Sequence, residues 1–312
     1  MRSPRRYAPR DDIEVNTSIL SGKDEMKKTA VTLNLLLFVF CLSLPAASKG
    51  HLFIIGGGDR PESMMKRFVA LAQQVGSGKI VVFPMAGSVP NEVGPGLVEE
   101  FKKLGATNVE CHILTREQAL KEDSSRILDD AGGVYFSGGD QSRQTAVLLN
   151  TPIHKKLLEI YEKGAVMGGS SAGAAVMSEV MITGDERREV KEGREFETLQ
   201  AGIVVTAPGF GFINMAIVDQ HFATRKRHNR LISLVAENPK LLGIGIDEST
   251  AIIVNPDDTF EVIGEKNVVV YDAARAKIKI SPSKAIGISN MIIHVLLPGS
   301  RYNLDKRKIV IP

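Results

Sequence analysis

Residues 166–175 read VMGGSSAGAA, a hydrophobic run that ends in two serines set between small residues. Within it, Gly169-x-Ser171-x-Gly173 matches G-x-S-x-G, the pattern of a nucleophile elbow placed between a strand and a helix. The small residues have a physical reason. A serine lifted on a sharp strand-to-helix turn leaves no room for bulky neighbours against the sheet or the new helix. The same turn aims the N–H of Ala172 into the space beside the serine, near the positive end of a helix. Ser170 is one residue out of phase and points back toward the sheet. Small residues around a tight turn also occur for packing alone, so the elbow needs partners elsewhere in the chain.

Outward from the elbow, short apolar runs alternate with helical patterns. HLFIIGGG (51–58), KIVVFPM (79–85), VECHIL (109–114), GVYFSGG (133–139) and AVMGG (165–169) read as strands. Residues 62–76, 93–104, 140–149 and 152–163 read as helices. That alternation specifies an α/β fold with a mostly parallel sheet and helices on both faces. After residue 242 the chain turns strand-rich (GIGID, TAIIVN, FEVIGE, NVVVYD, MIIHVLL), which suggests antiparallel strands added at one edge of the same sheet. Residues 49–312 show no repeat or composition break and read as a single catalytic domain. Ligands of such sheets bind at the carboxyl ends of the strands. GGGDR (56–60), FSGGDQSR (136–143) and GGSSAGA (168–174) all fall there.

A serine nucleophile needs a base, and the base needs an acid. His221 lies in the polar segment VDQHFATRKRHNRL, whereas His294 is embedded in the apolar MIIHVLL and His228 sits among charges, where it reads as solvated. Asp247 and Glu248 end one apolar run, and adjacent strand residues face opposite sides, so at most one of them enters a given site. Two orders stay open: Ser171–His221–Glu248, favoured by the polar company of His221, and Ser171–Glu248–His294. Arg225, Arg227 and Arg230 form a basic run in which Arg227 and Arg230 share a helix side. Paired arginine forks suit a carboxylate-bearing substrate, although a charge run also serves as a solvated face. No cofactor is called for, and no His/Cys/Asp cluster has metal-ligand spacing.

Composition bounds the rest. A chain of 312 residues, 43% hydrophobic and 24% charged, is globular, and a net charge of +3 with 5% aromatic residues argues against nucleic acid as partner. Residues 1–25 are polar and look like an extension upstream of the natural start at Met26. Lys27 and Lys28, the apolar run Leu35–Leu44 and Ala46-Ala47-Ser48 then form a signal peptide over 26–48. Residues 1–48 hold seven basic and five acidic side chains, so cleavage after Ser48 leaves a charge of +1 and no membrane anchor. Cys41 leaves with the signal, and Cys111 reads as a packed thiol in a strand.

Together GGGDR, FSGGDQ, GGSSAGA, DQHFATRKRHNRL and GIGIDESTA resemble the serine-peptidase family of cyanophycinase and dipeptidase E, in the family's order over about residues 50–300. The resemblance implies a fold like that of class I glutamine amidotransferases and cleavage after aspartate. It places the nucleophile on Ser171, the base on His221 and the acid on Glu248. It places the oxyanion donors on the N–H groups of Ala172 and the Gly138-Gly139 turn. The substrate pocket falls on Gln141, Asp219, Gln220, Arg225, Arg227 and Arg230, with Asp219 a partner for a substrate guanidinium. These residue types favour the cyanophycinase branch, whose substrate is polyaspartate carrying arginine on its side chains and whose product is β-Asp-Arg. A dipeptidase acting on short aspartyl peptides and a non-catalytic binder of anionic peptides are the alternatives. A homodimer is implied by the resemblance alone. Ser170 stands where the family often has threonine, and the charged stretch 184–200 reads as a variable loop near the site. The signal peptide points to a secreted or periplasmic enzyme that scavenges external polymer.

Overall fold

Strand β1 (Leu52–Ile55) is buried along its whole length, because side chains on both of its faces are covered. Phe53 and Ile55 face one hydrophobic cluster, and Leu52 and Ile54 face another. The computed structural model describes residues 49–188 and 195–311. The expected signal segment and the extension before it lie outside the described residues. The first half alternates as its apolar runs require, with α1 (Glu62–Ala72), β2 (Lys79–Phe83), α2 (Pro90–Lys103), β3 (Val109–Cys111), α3 (Arg116–Ala119) and β4 (Ala131–Phe136) following β1. Then come α4 (Gln141–Leu148), α5 (Pro152–Glu162), β5 (Val166–Ser170) and the short α6 (Ala172–Ala175). On α1 the apolar residues Met64, Met65, Phe68, Val69 and Ala72 share the buried stripe of an amphipathic helix. Phe68 packs among the rings of Phe53, Phe101 and Tyr135 at 5.4–5.7 Å, a burial whose loss in Phe68→Ala costs about 3–5 kcal/mol.

The second half supplies β6 (Val180–Glu186), β7 (Val204–Pro208), β8 (Ala216–Asp219), α7 (His228–Glu237), β9 (Leu242–Ile246), β10 (Thr250–Val254) and β11 (Thr259–Gly264). It ends in β12 (Val268–Asp272), β13 (Lys277–Ile280), β14 (Ile286–Ser289), β15 (Ile292–Leu296), β16 (Arg301–Asn303) and β17 (Lys308–Val310). The main sheet runs β17-β16-β11-β10-β1-β5-β4-β2-β3. β1 to β5 are mutually parallel, and the strands beyond β1 are antiparallel.

Not all of the late strands join that edge. β9, β12 and β15 (GIGID, NVVVYD, MIIHVLL) form a separate sheet, ordered β15-β12-β9-β8, with β8 parallel to β9. The crossing point is the turn after Ile246: β9 ends in one sheet and β10 begins in the other. Apolar pattern alone cannot tell which sheet a strand joins, since β9 and β10 are both buried on both faces. Ser249 takes up the sharp change of direction with a φ of 54°. Cys111 is half-buried and packs against the cluster beneath α2. Among the described residues no helix is long and apolar enough to cross a membrane.

Candidate active site

Ser171 closes β5 and opens α6 at φ 56° and ψ −110°, a conformation that L residues adopt only under constraint. The glycines of the elbow are demanded by close approach. A Cβ on Gly169 would stand 2.3 Å from the carbonyl oxygen of Gly173, and one on Gly173 would stand 2.1 Å from that of Phe136. Ser170 shares the face of Val166 and Gly168, buried beside Tyr135, and not the face of the cleft.

The Ser171 hydroxyl lies 2.9 Å from His221 Nε2, and His221 Nδ1 lies 2.6 Å from Glu248 Oε1. With Nδ1–H donating to the carboxylate, Nε2 is free to accept the serine proton. His221 follows the carboxyl end of β8 at φ 48°, and Glu248 sits in the turn where the chain changes sheets. Asp247 faces away and accepts a hydrogen bond from the Thr224 N–H at 2.9 Å. Burial opposes ionisation of Asp247, but the Thr224 hydrogen bonds prevail and hold its carboxyl below the usual range. His294 stands in β15 with its ring 5.4 Å from Tyr302, so the order through His294 is not assembled. His228 is not solvated: its Nδ1 meets the Tyr271 hydroxyl at 2.6 Å and its ring packs on Phe222.

The GGGDR loop has a part that residue types did not disclose. Three successive carbonyls from the last residue of β1 onward hold the backbones of the other elements: Ile55 accepts from Ser171 N–H at 3.0 Å, Gly56 from His221 N–H at 2.7 Å, and Gly57 from Ser249 N–H at 2.8 Å. Gly57 has φ 111°, and a Cβ there would lie 2.3 Å from the His221 ring. The glycine run in the sequence was the available signal; its pairing with His221 required the tertiary structure.

A cleft of about 350 Å³ opens beside Ser171, lined also by Gly139, Gln141, Gln220, Arg225 and Arg227. Gly138 abuts the serine, since a Cβ on it would be 3.5 Å from Ser171 Cβ. Gln141 donates through Nε2 to the carbonyls of Ile182 and Thr183, tying β6 to the cleft wall. Arg225 is exposed, and its guanidinium has no hydrogen bond or ion pair among the described residues. Arg227 donates to the Gln220 backbone and side-chain oxygens at 2.8 and 2.7 Å. Burial, then the nearby Arg230, lower the Arg227 pKa to about 10.

Two sequence-predicted pocket residues behave differently. Arg230 and Asp219 are bound to each other through Nε–Oδ2 at 2.7 Å and a second Nη2–Oδ1 contact, with side chains only 3% and 0% exposed. Neither lines the cleft. Arg227 and Arg230 do converge on one carboxylate, but it is the protein's own Asp219, 3.8 Å from Arg227. The helix begins only at His228, so Arg227 precedes it rather than sharing its side. Of the stretch 184–200, the described part ends β6, places Asp185 on the cleft and buries Phe196 under Arg230. Among the described residues no group of three His, Cys, Asp or Glu is placed to hold a metal ion.

His221 has its pKa lowered chiefly by burial and further by the positive charges of Arg225 and Arg227, against the opposing hydrogen bond and charge of Glu248. The shift favours the neutral imidazole, the form a general base needs.

Residues 52–263 match the model of peptidase family S51. A cyanophycinase from a Nostoc species is 33% identical over 274 residues, which cover 85% of this chain and 89% of that one. A cyanophycinase from Geminocystis herdmanii is 31% identical over 264 residues, covering 82% and 94%. The crystal structure of a peptidase from an acI-B1 actinobacterium superposes with a TM-score of 0.60 at 22% identity, over 84% of this chain and 100% of its own, and bears out the fold.

Proposed function

We propose, since the chain belongs to peptidase family S51 and is a serine-type peptidase, that it is an exported exopeptidase that hydrolyses cyanophycin to β-Asp-Arg with Ser171, His221 and Glu248 as its triad. The observation that carries this reading is the unbroken line Ser171–His221–Glu248, at 2.9 and 2.6 Å, opening on a cleft that holds an exposed arginine. The cyanophycinase relatives support the substrate.

Ser171 Oγ attacks the aspartyl carbonyl carbon while His221 Nε2 takes the hydroxyl proton, and Glu248 stabilises the imidazolium that forms. The backbone N–H of Ala172 and the Gly138-Gly139 turn receive the oxyanion. His221 returns the proton to the leaving amine, and water then releases the acyl group by the same relay. Arg225 and Arg227 receive substrate carboxylates, and Gln141 and Gln220 receive neighbouring polar groups. With Asp219 closed off beneath them, the carboxylates that the cleft offers to a substrate guanidinium among the described residues are Asp140 and Asp185.

Incubation with purified cyanophycin and mass analysis of the products tests the reading. Release of β-Asp-Arg by the native enzyme and none by Ser171→Ala is the expected result. Cleavage of short aspartyl peptides alone would move the assignment to a dipeptidase, and retention of polymer without cleavage would make the protein a binder. Export is tested by N-terminal sequencing of protein from the native host. A mature start at or near Lys49 is expected, and an intact 1–48 segment on active cytoplasmic enzyme would remove the scavenging role.

A further inference from the structure

Arg225 stands between two tasks. Its backbone N–H donates to the His221 carbonyl at 2.9 Å, so the cation is tied to the loop that carries the base. Its guanidinium lines the same cleft as Ser171, exposed and without an ion-pair partner among the described residues, while Arg227 beside it is only 16% exposed. The charged groups that bear on the His221 imidazole are few. Glu248 faces Nδ1 from the turn after β9. Arg225 and Arg227 act from its own loop. Lys266 lies 4.0 Å from the outer oxygen of Glu248 and 3.8 Å from Asp247, so it acts through that carboxylate pair. Asp219 and Arg230 offset each other below Arg227. The element in contact with the ring from β1, Gly57, carries no charge. Asp140 and Asp185 also line the cleft, Asp140 lying 3.7 Å from Arg143, and neither forms an ion pair with Arg225. Among the described residues Arg225 is the cation of this set that faces the cleft without an ion pair.

We propose that Arg225, assisted by Arg227, couples recognition of an anionic substrate to the strength of the base: a carboxylate seated on these arginines cancels the positive field facing His221, so the imidazole becomes more basic only in the complex. The inference rests on the reading that these arginines bind substrate carboxylate, and it adds that the binding event tunes the chemistry. The physical basis is that an empty cleft leaves a cation repelling the imidazolium, whereas an occupied one replaces that cation with an ion pair of near-zero net charge. An uncharged substrate of the same shape meets a weaker base, so discrimination appears in the chemical step as well as in binding.

The sign of the pH effect follows. A base works when neutral, so activity falls as pH drops through its pKa. The acid limb of kcat/KM reports the free enzyme and that of kcat reports the complex. For hydrolysis of cyanophycin by the wild-type enzyme, the acid limb of kcat should lie at higher pH than that of kcat/KM. In Arg225→Gln the free-enzyme limb should move up toward the kcat limb and the gap should close, with KM raised about tenfold for the lost charged contact. Arg225→Lys, which keeps the charge, should restore the gap even where KM stays high. A second measurement needs no substrate: the pH dependence of inactivation by a fluorophosphonate, which reports the neutral base behind Ser171. Its midpoint should be higher in Arg225→Gln than in wild type. If KM rises in Arg225→Gln while the gap and the inactivation midpoint stay put, the arginine binds but does not tune, and the coupling is overturned. If wild type does not cleave cyanophycin, the substrate reading fails separately. The inactivation midpoint then decides alone, an unchanged value sinking the coupling.

Discussion

The elbow at 166–175 and the segment 219–230 end at the same cleft, yet their residues are placed by different forces. At the elbow, backbone crowding dictates residue type: carbonyl oxygens of Gly173 and Phe136 stand where the Cβ atoms of Gly169 and Gly173 would go. In the segment 219–230 charge decides, and three arginines of one type meet three fates. Arg225 is exposed and without an ion pair among the described residues, Arg227 is bonded to Gln220, and Arg230 is sealed against Asp219. A steric requirement is written in the residue that satisfies it, whereas an electrostatic role depends on where the partner lies.

The comparison can be broken first at the elbow. Ser171→Ala should reduce hydrolysis of cyanophycin roughly a million-fold with an unchanged melting temperature, as loss of a triad nucleophile does. Ser170→Ala, on the buried face, should retain activity within about tenfold; a dead Ser170→Ala beside an active Ser171→Ala would reverse the assignment. The charged segment offers the next largest effect, and in stability rather than rate. Asp219→Ala leaves the buried Arg230 without its counter-ion and should cost about 3–5 kcal/mol in urea unfolding. Arg225→Gln, by contrast, should change stability by less than about 0.5 kcal/mol. Equal losses in the two variants would erase the distinction drawn between a buried pair and an exposed cation.

Gly57→Ala tests whether steric control extends from the elbow to the base. The new methyl displaces the His221 ring, and a shift of that kind should lower kcat by about a hundredfold with the fold intact by circular dichroism. Wild-type turnover would mean that the imidazole has room to spare. The smallest effect belongs to Arg227→Lys, which keeps a charge but loses the guanidinium whose Nη1 donates to both Gln220 oxygens. A fall of about tenfold in kcat/KM is expected, and identical kinetics would reduce Arg227 to a spectator of the cleft.

The alternation of buried strands and amphipathic helices up to β5 was legible because each run satisfies its own periodicity, and so was the strand-to-helix turn at Ser171, because the small residues of G-x-S-x-G answer to local crowding. The pairing of His221 with Glu248 was open to a rival histidine in the residues alone. Packing resolved it: His294 lies in another sheet's edge strand, while the last residue of β1 and the loop after it bind the backbones of Ser171, His221 and Ser249 through three successive carbonyls. By itself the sequence determined an α/β sheet with a serine raised at the carboxyl end of β5, since local sterics and period act over a few residues. Only the tertiary structure decided that the late strands divide between two sheets, that Arg230 serves Asp219, and that Arg225 is left exposed on the cleft. Those outcomes depend on which distant groups share a buried volume, and desolvation there makes pairing obligatory in a way that no spacing along the chain records.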